Sequence, residues 1–81
     1  MENLIMAFRA LHAQARREGR IARDSRFAIS AGQFVWLAEM TEPTLDRDGR
    51  LIVAVQDGDR TYRATRLKAG QGAAIVVFWD E

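Results

Sequence analysis

Residues 31–41, AGQFVWLAEMT, decide how the rest of this chain is arranged. As a strand over 33–41, the segment points Phe34, Trp36, Ala38 and Met40 to one side and Val35 and Leu37 to the other. As a helix, it sets Phe34, Leu37 and Met40 at the spacing of a buried stripe. The aromatic and β-branched triplet Phe34–Val35–Trp36 suits the pleated state, and the segment is short, so a strand is expected.

The flanking sequence supplies the other elements. Residues 3–18, NLIMAFRALHAQARRE, carry Leu4, Phe8, Leu11 and Ala15 at i, i+4, i+7 and i+11, the stripe of an amphipathic helix. Asn3 suits a first-turn cap, Arg16 and Arg17 suit the negative end of the helix dipole, and Gly19 suits a left-handed stop. Beyond a polar connector, apolar residues alternate between turn signals, which predicts further strands near 26–30, 50–56, 59–67 and 73–79. The QDGD break at 56–59 reads as a two-residue hairpin, because Asp-Gly accepts the positive φ of a type I′ turn. The expected fold class is α+β. The N-terminal amphipathic helix would pack on a four- or five-stranded antiparallel meander, curling toward a small barrel, in a single domain spanning 1–81.

The expected strands leave apolar residues on both sides. In AAIVVFWDE (73–81), Ala73, Ile75, Val77 and Trp79 oppose Ala74, Val76 and Phe78; in 50–56, Leu51, Val53 and Val55 oppose Ile52 and Ala54. An antiparallel sheet with one wet face should alternate apolar with polar. One helix covers one face, so the second calls for barrel closure, a homodimer or a protein partner.

Composition excludes several classes of function. The 81 residues contain no cysteine, which removes disulfides and thiolate metal sites. The start, MENLIMAF, lacks a basic signal-peptide region, and no apolar run approaches the roughly 18 residues of a membrane span. A cytoplasmic protein without membrane association is expected. His12 is the only histidine and lacks the partners that zinc or nucleophilic chemistry requires. In LDRDGRL (45–51), Asp46 and Asp48 resemble part of a calcium loop, but Asp57 stands where the bidentate Glu belongs, and a turn explains the same residues. AGQG (69–72) has no lysine or following helix to make a phosphate loop. Glu39, Glu42, Asp57 and Asp59 lie in turns or at strand ends, where carboxylates are ordinarily solvated. No catalytic residue, cofactor or metal site is expected, and the chain reads as a non-enzymatic protein.

Charge is distributed unevenly. Residues 1–26 hold six arginines against three acids, a balance of +3, whereas 27–81 hold six bases against eight acids, a balance of −2. Arg9, Arg16 and Arg20 share one side of the expected helix, with Arg17 and Arg23 close by; Arg60, Arg63 and Arg66 surround Tyr62. Arginine forks suit phosphate or carboxylate partners, although GC-rich coding also enriches arginine together with alanine. Large aromatics in desolvated patches anchor interfaces, which makes Phe34, Trp36, Phe78 and Trp79 candidate anchors. The partner-binding candidates are therefore Arg9, Arg16, Arg17, Arg20, Arg23, Phe34, Trp36, Arg63 and Trp79. An interaction protein is the first reading. A small nucleic-acid-binding module using 9–26 is the alternative.

In its length, lack of cysteine and absence of catalytic motifs, the chain resembles small phage-encoded anti-CRISPR-type inhibitors. The resemblance is one of format and transfers no residue roles. It implies a non-enzymatic, frequently dimeric protein that binds a bacterial defence effector. DNA-mimicking members of that group are commonly acidic; the formal charge here is +1. Contact with an effector protein subunit is therefore the implied mode.

Overall fold

The computed structural model describes residues 2–66 in full and residues 75–80 as backbone. Helix α1 (Glu2–Arg17) is followed by β1 (Phe27–Ile29), helix α2 (Ala31–Glu39), β2 (Thr44–Leu45), β3 (Leu51–Asp57), β4 (Arg60–Arg66) and β5 (Ile75–Asp80). The fold is α+β: two helices and an antiparallel sheet built on the three longer strands, β3, β4 and β5. The short segments β1 and β2 pair at opposite edges, giving the order β1-β5-β4-β3-β2, and the sheet is not closed into a barrel.

The main correction falls on 33–41, which is helical rather than extended. One cause is local and one topological. Ser30 accepts a hydrogen bond from the Gln33 backbone N–H, while the Gln33 side chain accepts from the Ser30 N–H, forming a reciprocal capping box. The topology asks for the same result. Because every neighbouring pair is antiparallel, β1 and β2 run in the same direction at opposite edges of the sheet. Parallel strands need a crossover, usually a helix. Four strand spacings of about 4.8 Å separate the edges by about 19 Å; nine helical residues cover about 13 Å, and Met40–Pro43 supply the rest.

Helix α1 starts at Glu2, so Asn3 lies within its first turn rather than before it. It ends in a Schellman arrangement: Gly19 N–H donates to the Arg16 carbonyl, and Arg20 N–H donates to the Ala15 carbonyl, with Gly19 at φ +67°. The β3–β4 hairpin also differs by one residue from expectation. Asp57 pairs with Arg60, which makes Gly58 and Asp59 the central residues. Gly58 has φ +61° and Asp59 does not have a positive φ, the signs of a type II′ rather than a type I′ turn. Asp46 closes the β2–β3 turn by accepting the Asp48 and Arg50 N–H groups on one carboxylate oxygen, so this segment behaves as a turn.

Both helices contribute to one core. Leu4, Ala7, Phe8, Leu11 and Ala15 of α1 and Phe34 and Leu37 of α2 join Phe27, Ile29, Val53, Val55, Tyr62 and Ala64 from one side of the sheet. Phe8 stacks on Tyr62 at 5.3 Å between ring centroids. Register confirms that this is a single face: Val53 lies opposite Ala64, and Val55 opposite Tyr62. On the other face, β3 and β4 present Ile52, Ala54, Gln56, Thr61, Arg63 and Thr65, a mostly polar set. Ile52 and Ala54 are the apolar residues of that face on β3 and β4, and the apolar residues of 33–41 belong to α2 rather than to the sheet.

Candidate functional site

The helical state of α2 sorts its aromatics differently from a strand. Residues i and i+2 share a strand face but stand about 200° apart around a helix. Phe34 is consequently 3% exposed and, with Leu37, fills the core, while Trp36 is 43% exposed and Val35 53%. Phe34 is thus a core residue and not a surface anchor. The exposed positions Gly32, Val35, Trp36 and Glu39 follow i, i+3, i+4 and i+7, so they form one outward stripe. A nine-residue helix with apolar residues on both sides is held by its inner side and offers its outer side.

Other exposed apolar residues escaped the sequence reading. Met6 on α1 and the register partners Leu45 and Leu51 at the β2–β3 edge are exposed. A two-residue strand beside a turn leaves little sequence signal, so local pattern does not reveal the Leu45–Leu51 pair. Trp79 lies opposite Tyr62 in the β4–β5 register. The side chains of Phe78 and Trp79, and the AGQG segment, lie outside the described residues.

The arginines divide into two groups. Arg9 makes a bidentate pair with Asp57, Nε to Oδ2 at 2.8 Å and Nη2 to Oδ1 at 2.6 Å, tying α1 to the end of β3. This contact lowers the Asp57 carboxyl below its usual range and raises the Arg9 guanidinium. Arg20 pairs with Glu18 and donates from Nη1 to the Ala28 carbonyl at 2.6 Å; Arg26 pairs with Asp24. Both carboxyls are lowered, chiefly by their hydrogen bonds to these arginines. Arg16, Arg17 and Arg23 are exposed and make no ion pair among the described residues. An open depression of about 350 Å³ borders the connector and is lined by Arg20, Ala22, Asp24, Arg26, Phe27 and Ala28.

The three arginines around Tyr62 do not all share one side of β4 with it. Tyr62 is buried against Phe8, and Arg63 points from the opposite face of β4. His12 is buried too, with its ring tilted against Phe27 and Tyr62 at 5.8 and 6.5 Å. Among the described residues, no three His, Asp or Glu side chains gather as a metal-binding group. No described helix is long and apolar enough to cross a membrane. Comparison with protein-family models, curated proteins and solved structures finds no match to this chain.

Proposed function

We propose that this chain is a non-enzymatic interaction protein that docks on a protein partner through the outward stripe of α2. The observation that carries this reading is the pair Val35 and Trp36, exposed on a helix whose Phe34 and Leu37 are fixed in the core. A large aromatic on a rigid element is the type of residue that dominates binding energy. Presented at helical spacing, it suits insertion into an apolar groove. The resemblance in format to anti-CRISPR-type inhibitors makes a protein subunit of a bacterial CRISPR effector the first partner to test.

The experiment measures binding of the purified chain to purified effector complexes and to their separate subunits by calorimetry. Trp36→Ala should weaken the association by about 30-fold or more, the effect of losing a hot spot of roughly 2 kcal/mol, while leaving the melting temperature nearly unchanged. Retention of full affinity by Trp36→Ala, or absence of binding to every effector subunit, would remove this reading.

A further inference from the structure

We infer that the C-terminal end of α1 and the connector to β1, residues 16–26, form a second surface that binds the phosphate backbone of nucleic acid. This goes beyond the α2 reading and rests on different residues. Five arginines against Glu18 and Asp24 give the segment a formal charge of +3. The negative end of the α1 dipole offsets only about half a charge. The division of labour among these arginines is informative. Arg20 and Arg26 are engaged with Glu18 and Asp24, whereas Arg16, Arg17 and Arg23 make no ion pair among the described residues.

The engaged groups fix the backbone that carries the others. The Schellman bonds reverse the chain at Gly19, and the Arg20 guanidinium ties the connector to the Ala28 carbonyl of β1. Ala22 N–H donates to the Arg26 carbonyl at 2.8 Å, and Ser25 N–H donates to the Ala22 carbonyl at 3.0 Å. This tight turn carries Arg23 and holds Ser25 at φ +63°, a left-handed backbone that non-glycine residues rarely adopt. The backbone is thus preorganised, and it carries three guanidinium groups that make no ion pair among the described residues.

The chemistry favours nucleic acid over an acidic protein. A protein interface needs an apolar anchor surrounded by a polar rim, and the large exposed hydrophobics of the described residues lie elsewhere, at Met6, Val35, Trp36, Leu45 and Leu51. Phosphate contact needs no such anchor, and guanidinium forks match phosphate oxygens directly. Since, among the described residues, the 16–26 surface offers charge without a large exposed hydrophobic, backbone binding independent of base sequence is the expected mode.

The test is fluorescence anisotropy of the full chain with a labelled DNA duplex of about 20 base pairs, repeated with poly-L-glutamate as competitor. Three phosphate contacts give a log–log salt slope of about −2.7, or about 40-fold weaker binding when NaCl rises from about 25 to 100 mM. Arg16→Glu, Arg17→Glu and Arg23→Glu combined should abolish binding. The triple glutamine variant, should the glutamates disturb folding as judged by circular dichroism, should flatten the slope toward zero. Trp36→Ala should bind the duplex as the parent does, which separates this surface from the α2 reading. The inference is overturned by no duplex binding at the lowest salt, by triple variants that bind like the parent, or by poly-L-glutamate binding in preference to DNA.

Discussion

His12 shows how one buried side chain makes the stability of this protein depend on pH. It packs between Phe27 and Tyr62, and burial lowers its pKa below the ordinary 6.5, with the charges of Arg16 and Arg60 adding in the same direction. The folded state therefore resists a proton that the unfolded chain accepts. As pH falls through about 6.5, the unfolded state binds more protons and folding stability drops. Urea midpoints should accordingly decrease between about pH 7.5 and 5.5, a range above the carboxylate titrations, and His12→Leu should flatten that decrease. A parent midpoint that stays constant over the interval would refute this account. The residue scale also explains the reassignment of Phe34. Its aromatic character was legible in the sequence, but whether it shares a side with Trp36 depends on the backbone period, which side-chain type alone leaves undecided.

At the scale of the element, α2 is a contest between propensity and capping. Phe34, Val35 and Trp36 favour a strand only weakly, since β-propensity largely reports packing context. Ser30-Ala-Gly-Gln33 is a capping-box sequence, and this signal was available to identify the helix. Ser30→Ala should cost about 1 kcal/mol and lower the melting temperature by about 4–8 °C in a domain of this size. Calorimetry that finds the variant as stable as the parent would show that tertiary packing alone holds α2. The other elements were easier to read. The α1 stripe and the alternation of β4, with Tyr62 and Ala64 inward and Thr61, Arg63 and Thr65 on the opposite side, each bury one face. Periodicity reports that directly. Turn details were less legible, because the same Asp57-Gly58-Asp59 run supports either hairpin register until Asp57 is paired with Arg60 and held by Arg9.

Across the whole molecule, a single core joins both helices to the sheet, so the elements should unfold together. For 81 residues, a total stability of about 4–12 kcal/mol is expected, too small for either helix to persist alone. Helical circular dichroism at 222 nm and tryptophan fluorescence should therefore give coincident urea transitions; a helical signal lost ahead of fluorescence would contradict one cooperative core. The amino-acid sequence by itself determined the α+β class, the position of α1, the approximate positions of the long strands and the basic character of 16–26. These follow from local periodicity, turn residues and charge. Only the tertiary structure decided that β1 and β2 lie parallel at opposite edges, that α2 crosses between them, and that Trp36 faces outward while Phe34 faces inward. Among the described residues, it also separated the arginines engaged in ion pairs from those that make none. Such distinctions depend on pairings between residues far apart in the chain, notably Arg9 with Asp57 and Phe27 with Val77, and local sequence pattern does not encode them.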